Sequence, residues 1–375
     1  MRTSLAVRNL THNKVRTLVA IGGVCFAVTL LFMQLGFFAT MSKIAMLAYD
    51  ALDFDIVLTS PNYVVVTQAG SFPSANMYEA RAHPGVELVM PLYATRHIWQ
   101  NPVTRIRRPI EILGVNPSDP VSRRPDLERL VPVLDRPDTV LIDRLSRAEL
   151  GPQEAGVVAQ VGARNLKIIG QFTIGPGFEA GLVIVGDQTF ARLVGGRPLD
   201  TVNVGLIKLK PGADPAQVVE ELQRRLPADV RVLTRSELAA KETRYWVVNT
   251  AMGVIFGCGV LVAVLFGIVI TYQVLSLEVS NRLSEYATLK ALGFTDVYLA
   301  AIVLKQAVIF AVVSFIPGYF IALGIYYVGG SMTNLPIGMT VGRVTGVFIL
   351  NLVLCCFSGL LALRILRRAD PVDLF

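Results

Sequence analysis

The chain has 375 residues, of which 53% are hydrophobic and 17% charged, and it carries a formal net charge of +7. This composition excludes an ordinary soluble globular protein and is typical of a membrane protein. The positive charge does not indicate nucleic-acid binding, because part of it follows from Lys and Arg residues that flank apolar segments and the rest is expected on a solvated surface.

The first predicted elements are an N-terminal tail, residues 1–16, and an apolar segment, residues 17–42. The tail is basic, and the apolar segment centres on LVAIGGVCFAVTLLFMQLGFF. That run exceeds the roughly 15 apolar residues of a cleaved signal peptide. Because a helix needs about 20 apolar residues to cross a bilayer, we predict a retained transmembrane helix at residues 17–42.

Residues 43–244 are predicted to form a large α+β domain. Segments such as DFDIVLTS, VELVMPLYATRHIW, PIEILGV, AGVVAQV and NLKIIGQFTI are rich in β-branched residues and indicate strands. Residues 181–196 and 201–234 change from strand to helix periodicity, which favours split βαβ units. The sequence leaves open whether the domain has one lobe or two.

No catalytic, metal or disulfide arrangement is predicted. His83 and His97 lie far apart in the sequence, and all four cysteines fall in apolar segments, where they are expected to be small packing residues. No lysine precedes Ser or Thr, so the chain lacks a Walker A phosphate loop. We therefore expect that the protein is not an enzyme and has no cofactor, and that any ATP is bound by a partner.

Three further spans are predicted at residues 245–277, 297–328 and 344–363. Lys305 is the only Asp, Glu, Lys or Arg inside the cores of the four apolar runs, and its long side chain can reach the interface. Gly253 and Gly257 have the spacing of a close helix contact, although glycine enrichment by chance is nearly as good an explanation. Pro317, followed by Gly318, predicts a kink in the third span.

The orientation follows from the short segments between spans, where Lys and Arg favour the cytoplasm. Arg282 and Lys290 lie in residues 278–296, and the tail at residues 364–375 contains three Arg residues, whereas the loop at residues 329–343 holds one Arg at its end. We therefore expect four transmembrane helices with both termini in the cytoplasm. The α+β domain is then an extracytoplasmic insertion between helices 1 and 2.

The segments that join the domain to the membrane are both helix-prone. Residues 236–248, SELAAKETRYWVV, contain no Pro or Gly and predict a helix that enters the second span without interruption. The matching segment at residues 41–55 follows the first span. Together they predict a rigid stalk between membrane and domain.

The cytoplasmic segment, residues 278–296, contains a short amphipathic helix. Its candidate contact residues, which combine charge with an apolar stripe and a C-terminal glycine, are Glu285, Tyr286, Leu289, Lys290, Leu292 and Gly293. A surface helix of this kind either rests on lipid or fits a cleft in a cytoplasmic partner, and composition does not separate these two interpretations.

Several stretches give the chain a resemblance to a known family. They are NRLSEYATLKALGFTDVYL at residues 281–299, FIPGYFIALGIY at 315–326, LP..MT..R at 335–343, the tail RRADPVDLF at 367–375, and LFMQLGF in the first span. In these and in its four-span layout the chain resembles the FtsX/MacB-like permeases of ABC exporters, and within them the DevC-type permeases.

The resemblance implies a homodimeric permease in the bacterial cytoplasmic (inner) membrane, bound to an ABC ATPase through a coupling helix at residues 285–293. It further implies a membrane-fusion adaptor, an outer-membrane channel and export of a lipid, glycolipid or other hydrophobic substrate. The alternative is an FtsX-like mechanotransmitter that regulates an extracytoplasmic hydrolase without transport. Many family members have an acidic residue early in span three where this chain reads LKQA, residues 304–307, so no role for an acid is carried over.

Overall fold

The computed structural model describes residues 14–175, 177–196, 199–281 and 283–368. They belong to two compact units. The helical unit comprises the residues up to 39, residues 251–332 and those from 337 onward, and the α/β unit comprises residues 40–250 with the segment 333–336. Most of both predicted cytoplasmic tails, residues 1–13 and 369–375, lies outside the described residues.

Within the described ranges the chain contains ten α-helices. They are α1 (Lys14–Asp50), α2 (Ala75–Arg81), α3 (Pro125–Leu130), α4 (Asp187–Leu193), α5 (Pro215–Arg225), α6 (Arg235–Arg244), α7 (Ala251–Asn281), α8 (Leu283–Ala291), α9 (Asp296–Thr333) and α10 (Val341–Arg368). Helices α1, α7, α9 and α10 each contain a segment long and apolar enough to cross a membrane. These four helices coincide with the four predicted spans.

Helix α1 is longer than an apolar span requires. It runs without a break for 37 residues, about 55 Å at the usual rise per residue. It therefore includes the apolar segment and continues through Asp50 into the α/β unit. Helix α9 is also continuous, with Pro317 inside it, so the predicted kink does not divide the helix.

The prediction of an uninterrupted helix from residue 236 into the second span is wrong. Helix α6 ends at Arg244, a π-helical turn follows at Tyr245–Asn249, and Thr250 is extended with φ −108° and ψ 150°. The Thr250 hydroxyl donates to the Trp246 carbonyl at 2.6 Å, and the Trp246 ring stacks on Phe178 at 3.5 Å. Trp246 therefore belongs to the α/β unit, and the second apolar helix begins only at Ala251.

The α/β unit is built on a mixed nine-stranded sheet and a separate two-stranded ribbon. The strands are β1 (Ile56–Thr59), β2 (Phe72–Pro73), β3 (Val86–Gln100), β4 (Arg107–Val115), β5 (Thr139–Asp143), β6 (Val158–Val161), β7 (Arg164–Phe172), β8 (Leu182–Gly186), β9 (Thr201–Val202), β10 (Val204–Leu209) and β11 (Arg231–Thr234). The large sheet has the order β11-β1-β10-β3-β4-β8-β5-β7-β6, and β2 pairs with β9. Each stretch predicted as a strand contains one, whereas β5 has no counterpart among the predictions.

The long strand β3 belongs to two parts of this sheet. Its first half pairs with β10, and its last residues, Trp99 and Gln100, pair with β6 as well as with β4. Strands β3, β4, β8, β5, β7 and β6 therefore close into a ring, while β10, β1 and β11 extend from it. Both parts share one continuous sheet.

Both faces of the sheet are buried. Alternate residues of a strand enter different cores, since Ile56 and Leu58 pack with helix α5 whereas Val57 packs with helix α6 and the end of helix α1. Period-two alternation in a strand has this effect when both faces are covered. Burial on both faces fixes the end of α1 and the whole of α6 against the sheet.

Candidate functional site

Helix α8 ends in a glycine cap, as predicted. Gly293 has φ +90°, its N–H donates to the Lys290 carbonyl at 3.0 Å, and the Phe294 N–H donates to the Leu289 carbonyl at 3.1 Å. These two bonds are the Schellman arrangement, in which a left-handed glycine reverses the chain. Thr295 caps the start of helix α9 by accepting from the Tyr298 N–H at 3.4 Å. The connection between α8 and α9 is thus a defined turn.

Tyr286 holds helix α8 against the helical unit. Its side chain is 3% exposed and lies in a core cluster with residues of α1, α7, α9 and α10, among them Val24, Leu275 and Leu299. Leu289 is partly buried against the same cluster. The apolar stripe of this helix therefore faces its own bundle.

A different set of apolar side chains faces outward at the turn. Leu292 and Val297 are 71% and 78% exposed, and Phe294 and Tyr298 stack at 4.8 Å between ring centroids while remaining exposed. We call Leu292, Phe294, Val297 and Tyr298 the apolar tip. On the preceding helix Glu285 is exposed and Lys290 is half-buried.

The prediction that Tyr286, Leu289 and Leu292 together anchor a partner is corrected by this geometry. Only Leu292 has the exposure that such an anchor needs, because Tyr286 is enclosed by its own bundle and Leu289 partly so. The other exposed apolar residues at the turn, Phe294, Val297 and Tyr298, follow Gly293 in the sequence. The signal for them was the aromatic and apolar residues directly after the capping glycine.

The tight helix contacts are made at glycines other than the predicted pair. A Cβ at Gly318 would lie 2.8 Å from Val28 of α1, and a Cβ at Gly259 would lie 2.4 Å from the side chain of Gln34. A Cβ at Gly318 would also lie 3.1 Å from the Cys25 carbonyl oxygen, so Gly318 permits α1 to approach α9, whereas the flexible Gln34 side chain could move away from residue 259. Gly318, predicted as part of a kink, is thus a packing residue.

The predicted pair Gly253 and Gly257 lies near the start of α7. Gly253 is buried, whereas a Cβ at Gly257 would have only Phe38 within 4 Å, at an ordinary 3.9 Å. Gly257 therefore has room for a larger side chain within one copy of the helical unit.

Within the α/β unit, helix α6 is fastened to the end of helix α1. Arg235 donates to the Asp50 carboxylate at 2.9 Å and to the Tyr49 carbonyl at 3.2 Å, and its guanidinium lies 4.5 Å above the Phe54 ring. Thr234 and Glu237 form a reciprocal capping box at the start of α6. We call α6 and residues 40–50 of α1 the stalk helices.

No metal-binding group of three or more His, Cys, Asp or Glu residues occurs in the part of the chain that the structure describes. His83 is buried and pairs with Glu221 at 2.8 Å, while His97 lies on the exposed part of β3. The cysteines Cys25, Cys258, Cys355 and Cys356 are free.

Two families match the sequence. The MacB-like periplasmic core domain matches residues 17–225, and the FtsX-like permease C-terminal domain matches residues 253–371. No curated protein sequence is significantly similar to the chain.

Solved structures of three proteins are similar to about half of the chain. The periplasmic region of MacB from Actinobacillus actinomycetemcomitans is 10% identical with a TM-score of 0.36, over 51% of this chain and 94% of that one. The extracellular domain of the noncanonic ABC-type transporter YknZ from Gram-positive bacteria is 11% identical with a TM-score of 0.34, over 48% and 100%. A permease-protein domain from Porphyromonas gingivalis is 16% identical with a TM-score of 0.30, over 49% and 89%.

Proposed function

The chain belongs to the FtsX/MacB family of ABC-transporter permeases, and we propose that it is the permease subunit of an exporter driven by a separate ATPase. Four apolar helices in a family of this kind make it a multi-pass membrane protein. We place it in the bacterial inner membrane, with the α/β unit on the extracytoplasmic side and the apolar tip in the cytoplasm.

The proposal that the partner ATPase binds at the apolar tip rests on one observation. The apolar tip is exposed and lies on a turn that is fixed at both ends. An exposed cluster of aromatic and aliphatic side chains has the composition of an interface hot spot. Tyr286 anchors one side of the turn in the bundle core, and Leu299 anchors the other. A force applied to the tip is therefore transmitted to α8 and α9.

The continuous helix α1 supports a mechanical mode of action. It contributes Val24 and Val28 to the cores of the helical unit and Tyr49 to the core of the α/β unit. Because a helix is stiff along its axis, displacement of its apolar segment is passed to the stalk helices. The Arg235 contacts with Asp50 and Tyr49 then pass it to α6.

The proposed subfamily, oligomeric state, partners and substrate rest on the resemblance of particular sequence stretches to those of known permeases. LFMQLGF in α1 and the residues around the capping glycine support a DevC-type permease that works as a homodimer. Such a permease would act with a membrane-fusion adaptor and an outer-membrane channel, and it would export a lipid, glycolipid or other hydrophobic substrate. The open position at Gly257 is a candidate for the helix contact between the two copies.

The chain itself is proposed to be neither an ATPase nor a cofactor enzyme. No lysine in the sequence precedes Ser or Thr, and a Walker A loop requires that pair of residues to hold the phosphates. Nucleotide binding and hydrolysis are assigned to the partner subunit.

The second candidate function is an FtsX-like mechanotransmitter that regulates an extracytoplasmic hydrolase. It is favoured by the scarcity of charge in the apolar runs, where Lys305 alone interrupts residues 297–328, because a transmitter needs no substrate path. The genes next to this one discriminate the two functions. An adaptor gene favours export, and a hydrolase gene favours regulation.

The coupling assignment is tested by replacing Leu292 with Asp and measuring co-purification with the partner ATPase. The charge would enter a desolvated interface without a partner, and truncation of a hot spot costs about 2 kcal/mol or more, so binding should weaken at least about 30-fold. Met332→Asp is the matched control, since Met332 is 80% exposed and lies near the opposite end of α9.

The measurement has a clear negative outcome. If Leu292→Asp and Met332→Asp retain the ATPase equally well, the tip rests on lipid and is not the coupling surface. Leu289→Asp is unsuitable as a test, because Leu289 is partly buried and the substitution would disturb the bundle itself.

A further inference from the structure

A small cavity lies within the α/β unit where the stalk helices meet the sheet. It has a volume of about 30 Å³, room for one or two water molecules. Its walls are the end of α1, the loop that contains Val66, and the stacked rings of Phe178 and Trp246. We call this region the stalk junction.

Glu111 of strand β4 projects into this mostly apolar cavity. Its side chain is 8% exposed, and its Oε1 atom has no hydrogen-bond partner. Glu179 also lines the cavity, but it pairs with Arg96 at 2.9 Å. Glu111 is therefore a buried carboxyl group without a compensating cation, which is costly when ionised.

A second buried carboxyl group connects the junction to helix α6. Glu242 is fully buried and accepts a short hydrogen bond from the Tyr63 hydroxyl and another from the Val66 N–H at 2.9 Å. Tyr63 in turn bonds to Tyr49 of α1 at 2.7 Å. These contacts hold the loop at residues 60–68 against both stalk helices.

The charges around the junction favour a proton on Glu111. Burial raises the pKa of Glu111 to about 8, and the carboxylates of Glu242 and Glu179 add to this rise. Burial also raises the pKa of Glu242 to about 7, although its bonds from Tyr63 and Val66 oppose the shift. Lys241 lies 5.2 Å from the Tyr63 ring, and burial lowers its own pKa.

We propose that Glu111 is a proton-binding site that keeps the stalk junction closed while it is protonated and opens the junction to water when the proton leaves. An ionised Glu111 would place an uncompensated charge between apolar side chains. Water must then enter the cavity, and the Phe178–Trp246 stack and the loop at residues 60–68 lose packing. The α/β unit would thus respond to the pH of its compartment.

The direction of the pH effect follows from linkage. A group whose pKa is higher in the closed state than in the open one binds more protons when closed, so closure weakens as pH rises. The proton on Glu111 contributes fully to the stability of the closed junction below about pH 4.5, the ordinary pKa of a glutamate. This stabilisation is lost progressively as the pH rises to about 8, the pKa of Glu111 in the closed junction. Above that pH no further loss is expected from this group.

The test is hydrogen exchange of the full chain in lipid nanodiscs at pH 6 and pH 9, corrected for the intrinsic rate at each pH. In the wild type, protection of residues 60–68 and 242–249 should fall about tenfold or more at pH 9. Glu111→Gln keeps the neutral shape and should reduce this dependence to the smaller part that Glu242, with its pKa raised to about 7, contributes. Glu79→Gln, at an exposed position on α2, should retain the full dependence.

The proposal would be overturned if protection from exchange depended on pH equally in the wild type and in Glu111→Gln. It would also be overturned if protection in the wild type did not depend on pH. Infrared spectroscopy of the wild type gives an answer even if Glu111→Gln fails to fold. Protonated carboxyl bands of Glu111 and, more weakly, of Glu242 should be present at pH 7 and diminish by pH 9. The absence of any such band at pH 7 would show an ionised Glu111 and exclude the proton site.

Discussion

Tyr286 and Leu292 are six positions apart in the sequence, yet their side chains lie in different environments. Tyr286 fills a core formed by several helices, while Leu292 follows the end of α8 and is exposed. Leu292 lies after the last residue of the helix and directly before Gly293, whose left-handed conformation reverses the chain. The segment thus has a packed part at Tyr286 and an exposed part at the turn.

Substitution of Tyr286 should affect folding rather than partner binding. Tyr286→Ala removes a buried aromatic ring and should destabilise the helical unit by about 3 kcal/mol or more, whereas Tyr286→Phe keeps the ring and should remain close to the wild type. Thermal unfolding of the purified permease measures both. A Tyr286→Ala protein that unfolds normally but fails to bind the ATPase would return Tyr286 to the interface.

At the scale of elements, glycine decides how closely the long helices approach. A Cβ at Gly318 would lie 2.8 Å from the Val28 side chain and 3.1 Å from the Cys25 carbonyl oxygen. The carbonyl oxygen belongs to the backbone and cannot move aside as a flexible side chain does. The contact between α1 and α9 therefore depends on the absence of a side chain at residue 318.

Gly318→Ala should consequently destabilise the helical unit by about 1–3 kcal/mol through overpacking. Gly257→Ala is the matched control, because its new methyl group would meet only Phe38 at 3.9 Å and should leave stability unchanged. Chemical unfolding in detergent compares the two variants. Equal stability of both would mean that α1 and α9 do not pack closely at Gly318.

The sequence predicted the elements whose signals are local and missed those that depend on tertiary contacts. Long apolar runs identify α1, α7, α9 and α10, and the glycine cap of α8 follows from residue type. The π-turn at Tyr245–Asn249 has no Pro or Gly to mark it, and it accompanies the stacking of Trp246 on Phe178, 68 residues away in the sequence. Strand β5 is short and flanked by charged residues.

The partner contact at residues 278–296 stays a prediction, and the structure shows only which apolar side chains of that segment are exposed. Amphipathicity identified a short helix between the second and third spans, yet it gave no indication of which apolar side chains the bundle would cover. Tyr286 is covered by distant helices, and Leu292 is not. Such assignments require the three-dimensional packing, because the same periodic pattern serves a core and an interface equally well.

At the scale of the whole molecule, we propose that a push on the apolar tip is converted into movement of the α/β unit. The uninterrupted α1, the fixed turn at Gly293 and the Arg235 contacts provide stiffness along this route. The π-turn and the extended Thr250 separate α6 from α7, so these two helices do not form one continuous helix. We therefore expect α1 to carry movement and the π-turn to permit it.

The most direct test of this account is hydrogen exchange in residues 235–250 of the permease assembled with its ATPase, with and without ATP. The account predicts an ATP-dependent change in wild type and in Met332→Asp, and its loss in Leu292→Asp. An ATP-dependent change that persists undiminished in Leu292→Asp would contradict the account. So would an unresponsive segment in a wild-type complex that hydrolyses ATP.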